Sequence, residues 1–298
     1  MKRRFAPVFA VFALLPLLMS TVSADMGPKP SVNIEITGIS EPCWGTLLSE
    51  SRSTGPYSTV KERPERREAE RGWAEEQASV EAWDAFSAYE EVEPEGYYFL
   101  NFLDDCADGQ LNWTYYPPQR FKVALWFPRE NSMVITGPYE RYAFDSYFAL
   151  DLTNVRPERD RIITGLAMTR SYDMTAELAG LGVRVVLTVL LEAAVAWLFR
   201  LRTRGQLRLI LGVNILTQLL LNGFLNWYSY TNGTLFLTGF FLLGEVLVLA
   251  VEGAVYSRWL PRLGDLDAPC RPWRYALCAN ALSCAAGLAL AHVIPGVF

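Results

Sequence analysis

The sequence predicts an α+β membrane protein: an antiparallel β-sandwich ectodomain, immunoglobulin-like in outline and carrying an inserted helix, followed by a four-helix transmembrane bundle. Three observations lead there. Four apolar stretches long enough to cross a bilayer crowd the C-terminal part, a secretory-type signal opens the chain, and short alternating apolar runs punctuated by Gly, Pro, Asn and Asp lie between.

Residues 1–24 have the three parts of a signal peptide. Lys2, Arg3 and Arg4 precede an apolar run from Phe5 to Met19, and Val22-Ser23-Ala24 offers small residues for cleavage. Pro7 and Pro16 interrupt the run, which is short for a span, so cleavage is expected rather than an anchor helix. The following domain, 25–174, is then exported. From Asp25 to Leu178 it holds 15 Lys+Arg against 27 Asp+Glu, a net charge of 15 − 27 = −12. An acidic surface of that size excludes nucleic acid as a partner and suits cations, basic ligands or solubility.

Val32, Ile34 and Ile36 alternate with Asn33, Glu35 and Thr37, the period of a half-buried strand. Further strands are expected at Trp44 to Ser49, Tyr97 to Leu103, Leu111 to Tyr116, Phe121 to Phe127, Ser132 to Thr136 and Tyr142 to Leu152, and Ile162 to Tyr172 is either the last strand or the lead into the bundle. Between them, 61–91 is dense in Glu and Arg. Trp73, Val80, Trp83 and Phe86 recur near helical spacing and Glu62 stands four before Arg66, so one amphipathic helix is expected to cover a sheet face. Cys43 and Cys106 are the pair an exported domain would join as a disulfide; Cys270, Cys278 and Cys284 read as small packing residues.

Ser171-Tyr172-Asp173 followed by Thr175 and Glu177 is a helix start, with a polar cap and an acid in the first turn. It opens the transmembrane domain, 175–298, in which a crossing takes roughly 20 apolar residues at about 1.5 Å each. The spans fall at about 178–200, 208–228, 234–257 and 274–294. Arg200, Arg202, Arg204 and Arg208 fill the first connection, and Arg258, Arg262, Arg271 and Arg274 flank the third. The Tyr230 to Thr234 turn has no basic residue. Arg-rich short loops stay in the cytoplasm, so both basic loops are inside and the Asn232-Gly233 turn is outside, in agreement with the signal. Trp197, Trp227, Tyr228, Tyr256, Trp259, Trp273 and Tyr275 stand near span ends, where half-polar rings suit the headgroup layer.

The spans carry polar residues in register. Arg184, Thr188 and Glu192 recur every four on the first, and Asn214, Gln218, Asn222 and Asn226 every four on the second. Thr238, Glu245 and Glu252 recur every seven on the third, and the fourth adds Asn280 and Ser283. Even rise along each helix places Glu192, Gln218 and Glu245 near mid-membrane. The residues expected to form an intramembrane polar site are therefore Arg184, Thr188, Glu192, Asn214, Gln218, Asn222, Glu245, Glu252 and Asn280. A carboxylate at helix centre costs about 3 kcal/mol on insertion scales and needs a reason.

That reason is open between packing glue, an ion or proton path, and a ligand site. Intramembrane catalysis ranks last: the one histidine, His292, is far in depth from the acids, and no Ser nucleophile elbow, paired Asp motif or metal-binding His pair is present. No enzyme and no cofactor is expected. The sequence instead predicts an envelope protein whose exported domain binds or senses an unidentified ligand or protein partner, with the bilayer as its other partner. Proton- or cation-coupled transport is the alternative, and with four spans it implies a homo-oligomer.

Several segments carry a likeness. Asp25-Met26-Gly27-Pro28-Lys29-Pro30, Phe121 to Phe127, Arg141-Tyr142-Ala143-Phe144-Asp145-Ser146-Tyr147 and Ser171-Tyr172-Asp173 are four of them. Thr188 with Glu192, Asn214 with Thr217, and Glu245 with Glu252 and Tyr256 are the others. Together they make the chain resemble an uncharacterised family of exported bacterial membrane proteins with a signal peptide, a β-rich exported domain and four C-terminal transmembrane helices. The resemblance implies that architecture and a bacterial source, and it carries no activity.

Overall fold

The computed structural model describes residues 27–39, 41–61, 64–76, 79–264 and 271–293; the side chains of 66, 76, 288 and 290–293 are outside that description. The expected signal peptide, Glu62, Cys270 and the side chains of Arg66 and His292 therefore lie outside the described residues. Two compact units emerge, one of residues 29–172 and one containing the four C-terminal helices.

The first unit is built on two mixed sheets. One has the order β12-β10-β1-β6, from β1 (Ser31–Thr37), β6 (Gln110–Trp113), β10 (Asp145–Asp151) and β12 (Met168–Arg170). The other runs β11-β8-β7-β2-β5, from β2 (Trp44–Ser49), β5 (Asp104–Asp105), β7 (Arg120–Phe127), β8 (Ser132–Thr136) and β11 (Ile162–Leu166), with β9 (Tyr139–Glu140) pairing β7. A small hairpin, β3 (Ser53–Thr54) and β4 (Tyr57–Ser58), completes the strands among the described residues.

The sheets are not antiparallel throughout, as the sandwich expectation required: β1 runs parallel to β10, and β11 parallel to β8. Side-chain alternation selects which face of a strand is buried and leaves its neighbour unspecified. Alternation itself held, since Val32, Ile34 and Ile36 of β1 meet Leu47, Val123 and Leu125 of the second sheet in one core with Trp113, Phe121 and Phe148.

Two expected strands differ for backbone reasons. The run 97–103 makes a single bridge, between Ser49 and Tyr98, because Asn101 turns to a positive φ of 61°. Its amide donates to the Ser58 carbonyl at 2.7 Å and accepts from the Trp83 indole at 3.1 Å. The run 162–172 splits into β11 and β12, which belong to different sheets, and Gly165 supplies the φ of 80° beside the break.

The inserted segment is two helices, α1 (Arg67–Glu76) and α2 (Val80–Val92), after a 3-10 turn at Pro64–Arg66. Most of the covering is done by α2, with Ala74 of α1 at its edge. From α2, Ala82, Trp83, Phe86 and Tyr89 pack on Leu48, Ala124, Trp126 and Ile135, the other face of the second sheet. Burying a side chain such as Phe86 contributes about 1.5–3 kcal/mol. Trp73, expected on the same stripe, belongs to α1 and is 69% exposed, because the separation at Ser79 breaks the helical phase.

The second unit holds α3 (Met174–Leu198), α4 (Arg204–Asn232), α5 (Leu237–Leu263) and α6 (Pro272–Val293). Asp173 caps α3 by accepting from the Ala176 N–H at 2.9 Å, as the sequence predicts. Thr203 and Gln206 form a reciprocal capping box on α4, and Gly233, with φ 77°, closes that helix at the expected Asn232-Gly233 turn. By length and hydropathy α3, α4 and α5 are long and apolar enough to cross a membrane, which marks a multi-pass membrane protein.

Candidate functional site

The polar faces of α3 and α4 point into the helical unit. Arg184, Thr188, Glu192, Asn214, Gln218 and Asn222 are all buried, as are Glu252 and Asn280. On α5 the seven-residue repeat does not hold one face: Thr238 is exposed, Glu245 half-buried and Glu252 buried. A straight helix with 3.6 residues per turn drifts about 20° per heptad, so residues seven apart rotate away from a common line.

The buried polar residues form two groups. In the first, the Arg184 guanidinium donates to Asn222 Oδ1 at 3.2 Å. The Asn222 amide in turn donates to Gln218 Oε1 at 3.0 Å and to the Gln218 carbonyl at 2.9 Å. Beside it a cleft of about 120 Å³ is lined by Glu177, Gly180, Arg184, Leu225, Asn226, Ser229 and Leu237.

The second group takes residues from all four helices. Glu192 and Glu252 are both 0% exposed. Asn214 on α4 donates through Nδ2 to Glu192 Oε2 on α3 and to the Tyr256 hydroxyl on α5, the latter at 3.2 Å. Tyr275 on α6 reaches the same Glu192 oxygen with a long contact of 3.5 Å. Glu252 accepts from Asn280 Nδ2 at 2.7 Å and from Thr217 Oγ1 at 2.8 Å. Thr217 links the halves, since its hydroxyl is also 3.1 Å from the Asn214 carbonyl and 3.0 Å from that of Val213. Hydrogen bonds to an ionised acceptor are about twice as strong as neutral ones, so the carboxylates are the strong points of this network.

The expected layer of Glu192, Gln218 and Glu245 is thus rearranged. Glu192 meets Asn214, one turn from Gln218, and Glu252 replaces Glu245 as the second acid, while Gln218 joins the Arg184 group. Which faces meet across helices is not encoded in any single helix. Tyr256 and Tyr275, expected in the headgroup belt, are fully buried in the network with their rings 5.5 Å apart. Trp197, Trp227, Trp259 and Trp273 do stay exposed. Thr217 and Tyr256 carried a signal, standing three after Asn214 and four after Glu252 on the same helical faces; Tyr275 had none.

Among the described residues, four buried oxygens in this region have no hydrogen-bond partner: Glu192 Oε1, Asn214 Oδ1, Asn280 Oδ1 and Glu245 Oε2. With the acids ionised, each Asn turns its NH₂ towards a carboxylate, which leaves its carbonyl oxygen the orphan. An unsatisfied buried acceptor costs about 1–3 kcal/mol. Such a set can hold a proton or an oxygen-coordinated cation. It presents no nucleophile activated by a base, and among the described residues no group of three His, Cys, Asp or Glu stands ready for a metal.

In the β-rich unit, Cys43 and Cys106 lie opposite each other as buried free thiols, and the Cys106 N–H donates to the Cys43 carbonyl at 2.9 Å. The Cys106 thiol is pushed up by its hydrogen bond with Cys43 and by burial. Lys122 and Glu93 form a buried ion pair of 2.5 Å under the Tyr97 ring. Burial alone would raise Glu93, but the bond from Lys122 and the Tyr97 N–H carry it below the ordinary carboxylate range. Glu90, by contrast, is held above that range by burial, against the opposing pull of Thr59 and Lys61. A cleft of about 280 Å³ between α2 and the sheet is lined by Tyr89, Val92, Trp126, Met133, Asp160, Arg161 and Ile162 among others.

Comparison with family models, curated proteins and solved structures gives no match.

Proposed function

We propose that this chain is a sensing protein of the bacterial cell envelope. Its β-rich domain faces out of the cytoplasm and binds a ligand or partner protein, and its four-helix unit crosses the membrane and responds through the Glu192–Glu252 layer. In this reading α6 is the fourth span and the Arg-rich connections are cytoplasmic. Exposed Leu190, Leu198, Leu220 and Leu247 suit lipid contact.

One observation carries the reading: two fully buried carboxylates sit in a single hydrogen-bond network to which all four helices contribute. Changing the charge or occupancy of either acid changes its contacts with both α4 and α6, so the layer is built to convert a local event into helix movement. A packing role would be served by neutral amides and hydroxyls alone, without the insertion cost of two acids.

The test is backbone hydrogen exchange of the full chain in nanodiscs, in acidic and alkaline buffer after correction for intrinsic exchange, beside Glu192→Gln and Glu252→Gln. Protection of α3 to α6 is expected to change with pH in the parent and not in the variants. Equal protection at both pH values in the parent would remove the reading.

Proton- or cation-coupled transport by a homo-oligomer is the second reading, favoured by the partnerless oxygens. Flux of protons or monovalent cations into liposomes, abolished in a folded Gln variant, would put it first.

A further inference from the structure

The cleft of about 120 Å³ beside Arg184 has a charge of opposite sign at each end. Glu177, Gly180 and Arg184 stand at i, i+3 and i+7 on α3, and Asn226 and Ser229 at i and i+3 on α4, so each helix turns one face to it. The walls are graded in depth. Glu177, Gly180, Asn226 and Ser229 are half-buried, whereas Arg184 is buried together with Leu225 and with Leu237 of α5. The cleft therefore runs from an acidic, polar mouth to a buried guanidinium, over about 10.5 Å of helix rise. At that end Arg184 donates to Asn222, a neutral amide.

Gly180 keeps the space between the two charges. It lies in the second turn of α3, where glycine is among the weakest helix formers, and a Cβ there would meet nothing from the other helices within 4 Å. Close packing does not demand glycine at this point; its missing side chain leaves the cleft open. Charge then selects the occupant. Glu177 and Arg184 sum to zero, so a lone anion or cation would leave net charge between apolar helix walls, which is costly. A zwitterion adds none. With its acid group on Arg184 and its ammonium at Glu177, the signs alternate along the cleft. Size narrows the choice, since an engineered cavity of about 150 Å³ takes benzene, and this one suits about five or six heavy atoms.

We propose that this cleft binds a small zwitterion, an ammonium and an acid group a few bonds apart, with the acid group on Arg184 and the ammonium at Glu177. Asn226 and Ser229 supply further hydrogen bonds at the mouth. Free glycine or alanine has this chemistry, and so does the phosphoethanolamine headgroup of a lipid. The bonds from Arg184 through Asn222 to Gln218 lead along α4 to within one turn of Asn214, so the site adjoins the Glu192–Glu252 layer. The inference goes beyond the sensing reading and does not need it: it gives the helical unit a ligand site of its own.

The experiment is binding of radioactive glycine and L-alanine to the purified full chain in phosphatidylglycerol nanodiscs, competed with acetate and with methylammonium. Nanodiscs expose both faces, so the result does not depend on membrane orientation. A second arm adds phosphatidylethanolamine to the discs and reads the thermal unfolding midpoint. Saturable binding of glycine or alanine is expected, about tenfold or more tighter than acetate or methylammonium, each of which lacks one charge-assisted contact. Gly180→Leu fills the cleft without touching either charge and should abolish binding in a chain that still folds; Arg184→Gln should abolish it as well. If free amino acids do not bind, but phosphatidylethanolamine raises the midpoint of the parent and not of Gly180→Leu, the headgroup is the zwitterion and the inference stands with that source. No response in either arm, acetate binding as tightly as glycine, or binding retained in Gly180→Leu overturns it. None of these readouts uses the pH response of the Glu192–Glu252 layer, so the inference can fail while the sensing reading stands.

Discussion

Asn280 on the last helix donates to the Glu252 carboxylate at 2.7 Å, and both side chains are buried. Because Asn280 also bonds the Ala276 carbonyl one turn back, its amide is held in place before Glu252 arrives. Replacing it by Leu leaves a buried carboxylate oxygen without its donor. Asn280→Leu is expected to cost about 1–3 kcal/mol, at the lower end if the membrane interior lets a substitute donor swing in. The measurement is reversible unfolding in mixed micelles, and an unchanged midpoint would show that the bond does not matter.

The β-rich unit has two buried acids with opposite dependence on pH. Glu93 is held low, so its share of stability is complete above the unfolded value of about 4.3 and is lost as pH falls through the folded one. Glu90 is held high, so its share is present below the unfolded value and is lost as pH rises through the folded one. Denaturant midpoints followed by tryptophan fluorescence should therefore rise for Glu90→Gln relative to the parent as pH climbs from acid to neutral. Lys122→Met should lose about 3–5 kcal/mol at neutral pH by stranding Glu93, and much less in acid.

Cys43 and Cys106 are apposed thiols beside Gly45, where an added Cβ would come within 2.6 Å of the Cys106 sulfur. In an exported domain this apposition favours a bond between them. Protein purified without reductant, denatured and alkylated, is expected to take label at neither position until reduced. Labelling of both before reduction would mean free thiols, and would count against export. Gly45→Ala should cost about 1–3 kcal/mol in either redox state through overpacking.

How much of this was legible in the sequence depends on whether the information is local. The bounds of β2 and β8 follow from β-branched and aromatic runs closed by turn residues, and the start of α3 from its Asp173 cap. The parallel partners of β1 and β8 are far away in sequence, and alternation says nothing of them. In the helices, the buried faces of α3 and α4 were visible as four-residue repeats. The pairs that matter, Glu192 with Asn214 and Glu252 with Asn280, depend on how far one helix slides along another, which no single helix encodes. Tyr275 illustrates the limit: an aromatic near a span end is ordinarily an interfacial anchor, and only the packing of α6 against α3 shows it facing Glu192.

The most direct test of the account is a double-mutant cycle on Glu192 and Glu252. The two carboxylates are joined through Thr217, whose hydroxyl bonds Glu252 and the backbone carbonyl of the same Asn214 that holds Glu192. Unfolding free energies would be measured for the parent, Glu192→Gln, Glu252→Gln and the double variant in alkaline buffer. If the two acids form one responsive layer, the effects are non-additive, with a coupling of about 0.5–3 kcal/mol that shrinks in acid. Additivity within about 0.5 kcal/mol at both pH values would make them two independent packing contacts and contradict the account.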